Sequence, residues 1–147
     1  MKVLKAPKKE YDNFRKYFAF SCVDMVIFDG RSVLLTKRTR NPYRGYWHLP
    51  GSMIHKNEKM TDAVLRSAKE ELGLDVKIQR FLGVYESMHP FRHDISHGFV
   101  VKVTGGKIKT DDQSSEYRFF SRMPAKTIPH HMLVIQDALK RHSAGTS

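Results

Sequence analysis

Three carboxylates and one guanidinium stand close together in the middle of this chain: Glu58, Arg66 and the adjacent pair Glu70-Glu71. Carboxylate oxygens in such a group suit a hard divalent cation such as Mg²⁺, which takes oxygen ligands in octahedral geometry and keeps waters that substrate phosphates displace. On a helix turning ~100° per residue, with Ser67 at zero, Val64, Leu65, Ala68 and Leu72 fall between about 60° and 160° and form a packing face. Arg66, Glu70, Ala63, Ser67 and Glu71 fall between about 260° and 40°, on another side. Taken alone, this face is equally a solvated one carrying an Arg66–Glu70 pair, worth a few tenths of a kcal/mol (~0.2–0.5). The preceding segment shifts the balance. Pro50-Gly51 breaks the chain and a polar loop leads into the helix, which places backbone carbonyls beside the glutamates.

The spacing resembles the Nudix box, whose signature runs G, five residues, E, seven residues, then R-E-U-x-E-E-x-G-U with U a bulky aliphatic. Glu58, Arg66, Glu70, Glu71, Gly73 and Leu74 match it. Ser52 stands where the signature has Gly, and Ser67 where it has Glu. The stretch LLTKRTRNPYRGYWHLPG and the later DDQSSEYRFF are similar to the GDP-mannose mannosyl hydrolase branch, with Asp24, Arg38, Gly45 and Trp47 in matching places. The likeness covers roughly residues 20–122. It implies an α/β fold, the family's α/β/α sandwich with a mixed β-sheet, and Mg²⁺-dependent hydrolysis (Mn²⁺ as substitute) of a nucleoside diphosphate linked to another moiety. The implied metal ligands are the Gly51 carbonyl, Glu70, Glu71 and Gln113. Glu116 is the candidate for orienting or deprotonating water, with Glu70 beside it, and Arg66 orients the glutamates. Two departures separate the chain from that branch: Ser114 stands where the branch has its base histidine, and Met53 where it has an arginine.

Other residues extend the site. Arg38 and Arg44 are candidate diphosphate contacts, because a guanidinium fork binds phosphate oxygens bidentately. Asp24 lies in an apolar run and needs a partner, Arg38 or a donor on the substrate. Trp47 either packs in the core or stacks on a base. His89, His93 and His97 have an HxxxHxxxH spacing, but Pro90 and Gly98 argue for a loop running into a strand and against a zinc-binding helix. His97 matches a position near substrate in the mannosyl hydrolases. His130 and His131 read as surface residues, and Cys22 as core.

These groups require a scaffold. Phe20–Phe28 and Arg31–Thr36 read as a hairpin around Asp29-Gly30. Arg38–Gly45 is a basic loop, Tyr46–Leu49 a short strand, and Thr61–Leu72 a helix capped by Gly73. Val76–Glu86, Gly98–Val103 and Tyr117–Phe120 read as strands, with Gly105-Gly106 a turn. Pro129–His142 reads as a helix with Met132, Leu133, Ile135, Ala138 and Leu139 as its apolar stripe. Residues 1–10 read as a loose lysine-rich arm and 143–147 as a polar tail.

With 147 residues, 40% hydrophobic and 28% charged, the chain suits one globular domain over its whole length and excludes a disordered tail, a collagen repeat and a coiled coil. No apolar run approaches the ~20 residues of a membrane span. The charged N-terminus has no signal core and the single Cys22 has no partner for an internal disulfide, so a cytoplasmic location is expected. A net charge of +11 favours an anionic partner. A nucleotide-type small molecule fits best. Attack on phosphorus is favoured; cleavage at the sugar's anomeric carbon as in the mannosyl hydrolases, RNA with a 5′ diphosphate and a non-catalytic nucleotide-binding role remain the alternatives, and a homodimer stays open.

Overall fold

The computed structural model describes residues 1–109 and 114–144, with only the backbone of 114, 115, 143 and 144. The apolar run becomes β1 (Phe20–Asp29), the axis of a seven-stranded mixed sheet. It turns through Gly30, whose φ of 61° is the left-handed conformation a tight hairpin requires, into antiparallel β2 (Ser32–Arg38). Next come β3 (Trp47–His48) on the far edge of β2 and β4 (Gly51–Met53), which returns to pair with the first half of β1. After the acid-bearing helix, β5 (Leu74–Met88) and β6 (His93–Gly106) form a long hairpin, and β6 lies parallel to β1. The strand β7 (Ser114–Phe120) pairs with β2.

Successive residues of β1 face opposite sides. Val23, Met25 and Ile27 pack with Ala63, Val64, Ala68 and Leu72 of the acid-bearing helix. Val26 packs on the other side with Val134, Ile135 and Ala138 of the C-terminal helix. The result is the expected α/β/α sandwich. Among the described residues no helix is long and apolar enough to cross a membrane.

The middle helix spans Met60–Leu72 and the C-terminal one Pro129–Ala144, and both follow an N-terminal helix absent from the sequence reading. That helix, α1 (Lys8–Tyr17), occupies part of what read as a loose arm; the other two are α2 and α3 in turn. No residue of α1 is buried; Tyr11 and Phe14, three residues apart, share one face of an otherwise strongly charged segment. It is held by its edges instead. Tyr11 stacks on Phe20 with ring centroids 5.0 Å apart, and Arg15 donates to the Phe91 carbonyl at 2.9 Å. Ahead of it Leu4 donates its N–H to the Lys56 carbonyl at 3.0 Å, so the arm is pinned to the loop before α2.

Three further local readings are corrected. Gly105 and Gly106 close β6 opposite Asp75 and Leu74 and do not form a separate turn. In α2, Leu65 is exposed while Ala63 and Ser67 are buried, because β4 covers the helix on that flank. In α3, Leu133 points outward, and the buried stripe is His131, Val134, Ile135 and Ala138.

Candidate active site

The site begins with a close approach of backbone. Gly51 lies opposite Asp24 where β4 meets β1. A Cβ there would stand 2.1 Å from the Val23 carbonyl oxygen and 2.6 Å from Asp24 Oδ1, so no larger residue fits. The Gly51 N–H donates to Glu71 Oε2 at 3.1 Å, which ties the start of β4 to the last turn of α2. Gly73 then ends the helix at φ 70°, its N–H donating to the carbonyls of Ala68 and Lys69.

Arg66 is the knot of the rim. Its Nε donates to Glu58 Oε2 at 2.6 Å, its Nη2 to Glu58 Oε1 at 3.0 Å and to the Met53 carbonyl at 2.8 Å, and its Nη1 to Glu70 Oε2 at 3.1 Å. Glu58 also accepts the His55 N–H at 3.0 Å. Burial would push the Glu58 carboxyl up, but the Arg66 and His55 donors outweigh it and hold the group below its ordinary value. Glu58 thereby folds the polar loop onto α2. The Glu70 side chain remains 61% exposed, so one of its oxygens is held by Arg66 while the group still faces solvent.

Behind this rim lies a cavity of about 1180 Å³. Glu70, Glu71, Gly51 and Arg38 stand on it, and Tyr11 and Phe14 of α1 line its opposite wall. Arg38 Nε donates to the Pro42 carbonyl at 2.8 Å, which fixes the plane of its guanidinium. The floor is unlike the rim: it is made of Asp24, His48, His130 and His131. Asp24 is buried, and desolvation raises its carboxyl to about 7 despite a hydrogen bond from Ser96. Its neighbour is His131 Nε2 at 3.5 Å, not Arg38. His131 Nδ1 accepts the Leu49 N–H at 2.9 Å, so the neutral ring carries its proton on Nε2, toward Asp24. His48 sits between the Thr36 hydroxyl at 3.0 Å and the Leu49 carbonyl at 2.8 Å, and burial lowers it to about 4. Burial likewise lowers His130 and His131. Three imidazoles are therefore held neutral.

Ligand atoms of Asp24, His130 and His131 lie within 4.8 Å of one another, the spacing of a metal group. The tautomer argues against it, since the Nε2 of His131 that faces Asp24 bears a hydrogen and offers no lone pair.

Three kinds of comparison relate the chain to known proteins. The NUDIX domain model matches residues 19–141. The chain belongs to the Nudix hydrolase family. It is 35% identical over 132 residues to an ADP-ribose pyrophosphatase of Methanocaldococcus jannaschii, covering 86% of this chain and 78% of that protein. It is 34% identical over 122 residues to the low-salt glycan biosynthesis protein Agl8 of Haloferax volcanii, covering 78% of each. In fold it resembles the MutT Nudix hydrolase of Burkholderia pseudomallei, with a TM-score of 0.73 at 22% identity over 81% of this chain and 97% of that one. As a Nudix hydrolase it is an enzyme of the pyrophosphatase class.

The Nudix match begins after the end of α1, so Tyr11 and Phe14 of the aromatic wall come from a segment outside the matched residues. Within the box, the two departures from the signature meet: the hydroxyls of Ser52 and Ser67 hydrogen-bond to each other. Ser67 is fully buried against β4, so its place in the box holds packing and not a carboxylate.

Several residues expected at the site stand elsewhere. Glu116 on β7 pairs with Lys37 at 3.5 Å and Arg118 at 3.6 Å and does not line the cavity. Trp47 is 8% exposed, edge-on to Phe120 at 4.8 Å, and belongs to the core under α3. His97 is in β6 and its Nδ1 bonds the Cys22 carbonyl oxygen at 2.9 Å; neither it nor Arg44 lines the cavity. Gln113 lies outside the described residues. His130 and His131 do not lie on the surface as the sequence suggested: His131 is buried and His130 half-buried, and a signal existed, since His131 precedes Val134, Ile135 and Ala138 at i, i+3, i+4 and i+7 spacing, the signature of a buried face.

Proposed function

We propose that this enzyme hydrolyses the diphosphate bridge of a nucleoside diphosphate joined to a second moiety, a nucleotide sugar or an ADP-ribose-like compound, with water attacking phosphorus. The observation that carries the reading is one cavity, about 1180 Å³, with the carboxylate rim and Arg38 at one side and a polar floor and an aromatic wall beyond. That volume exceeds what a single nucleotide needs, as ligand pockets typically run ~300–1,000 Å³. The relationship to the ADP-ribose pyrophosphatase and the likeness to the mannosyl hydrolase branch support the same substrate class.

The rim offers only oxygen donors, and Glu70 is open to solvent, which fits a hard divalent ion. The Gly51 carbonyl, Glu70 and Glu71 would hold Mg²⁺, or Mn²⁺ in its place, and the ion when bound neutralises diphosphate charge. Arg38 grips a phosphate oxygen through its remaining donors. Arg66 fixes the position of Glu70, whose other oxygen orients the attacking water. Asp24 and His131 present an acceptor and an N–H donor to a hydroxyl of the substrate's second moiety. The lone Cys22 needs no oxidising compartment, and a cytoplasmic location agrees with that.

A product assay across ADP-ribose, nucleotide sugars, dinucleotides and nucleoside triphosphates tests the class. Release of a mononucleotide plus a sugar phosphate from the diphosphate-linked compounds is the expected result. Turnover confined to triphosphates, or none with any divalent ion, would contradict it.

A further inference from the structure

A second cleft, about 510 Å³, opens at the other end of α3. It is bounded by β5, β6, Phe28 at the end of β1, and Ala138 and His142 of α3. His131 and His142 lie roughly 16 Å apart along the helix, at a rise of ~1.5 Å per residue, so this cleft is separate from the active-site cavity.

Its charge is one-sided. Lys77 of β5 and Lys102 of β6 are direct cross-strand partners, and Arg80 lines the cleft beside them. Like charges directly opposite on antiparallel strands repel, an arrangement that a soluble sheet has no structural reason to adopt. Among the described residues no carboxylate lines the cleft. Asp75 and Asp137, on the elements around it, are engaged elsewhere: Asp75 by Lys69 at 3.2 Å, and Asp137 by the Tyr85 hydroxyl at 2.6 Å. Among the described residues none of the three cations forms an ion pair. Gln79 and Thr104 add neutral hydrogen-bonding groups, and Val100 and Ala138 give the cleft an apolar part. His142 is fixed at its edge, stacked on Phe28 at 4.0 Å and bonded to the Gly30 carbonyl at 2.8 Å.

We propose that this cleft is a second binding site for a small organic phosphate, its phosphate oxygens between Lys77, Lys102 and Arg80 and its organic part on the Val100–Ala138 surface. Three cations lining one cleft with hydroxyl and amide groups suit a multiply charged anion, and a half-open cleft of about 510 Å³ suits a nucleotide-sized ligand rather than a long polymer.

The test is calorimetric titration of the full chain with inorganic pyrophosphate, AMP and a short oligoribonucleotide, in EDTA, alongside backbone amide NMR. The expected result is saturable one-site binding of pyrophosphate and AMP, with shifts centred on Lys77 and Lys102. Lys77→Gln with Lys102→Gln should weaken binding about tenfold or more, the loss of two charge-assisted contacts, while leaving turnover unchanged. Lys9→Gln with Lys126→Gln removes the same charge elsewhere and should change affinity less than about twofold, the weak effect of distant screened charges. Equal weakening by both pairs, shifts confined to Gly51–Met53 and α2, or binding of the oligoribonucleotide alone would each overturn the proposal.

Discussion

The rim and the floor of the active-site cavity handle carboxylates in opposite ways. At the rim, Glu58 and Glu70 share Arg66 and Glu71 accepts the Gly51 N–H, and the Arg66 and His55 donors hold the Glu58 carboxyl below its ordinary value. On the floor, Asp24 is desolvated and is pushed up to about 7 beside imidazoles that burial keeps neutral. Negative charge is thus stable where a cation and a diphosphate would meet, and disfavoured a few residues deeper, where a neutral polar group is better served.

The largest expected effect breaks the rim. Glu71→Gln keeps a side-chain oxygen for the Gly51 N–H but loses the charge. Turnover should fall by about 10²–10³-fold, the scale of deleting one electrostatic stabiliser, with thermal unfolding unchanged. Near-normal turnover at saturating Mg²⁺ would remove Glu71 from the site. Arg66→Ala acts on the rim's architecture instead. It strands Glu58, whose side chain is 5% exposed. Because Arg66 itself is 20% exposed, the loss in chemical unfolding should be about 2–3 kcal/mol, below the ~3–5 of a fully buried pair.

The floor is sharpened by Asp24→Asn. A carboxyl raised in the fold is fully protonated in both states at low pH, so its burial costs nothing there. As pH rises from its ordinary value of 3.8 toward about 7, the unfolded chain ionises first and the folded state loses stability. Above 7 the loss is complete. In urea unfolding the Asn variant should therefore gain on the parent between pH 3 and pH 8 by several kcal/mol (up to about 4), whatever pH-independent cost the buried amide carries. An advantage independent of pH would mean that Asp24 is not raised.

The same contrast governs what could be read from the sequence. The rim is local: Glu58, Arg66, Glu70 and Glu71 come from one loop and one helix, so helical spacing and the Gly73 stop place them together. The floor joins β1, the end of β3 and the start of α3, residues 24, 48 and 131, and no local pattern joins these. Trp47 took the core position, one of the two places the sequence left open for it, and His97 lies on a strand, where a shift of one residue reverses the face. Glu116 fell to the same ambiguity. α1 is short, highly charged and buries no residue, though its Tyr11 and Phe14 line the cavity.

The central claim is that the rim directs water to phosphorus. Hydrolysis of a diphosphate-linked substrate in ¹⁸O-labelled water, followed by mass analysis of both products, tests it most directly. The account predicts the label in a phosphate group of the released mononucleotide or sugar phosphate. Label found only on the C1 oxygen of a free sugar, with an intact nucleoside diphosphate, would contradict it and place the attack at the anomeric carbon.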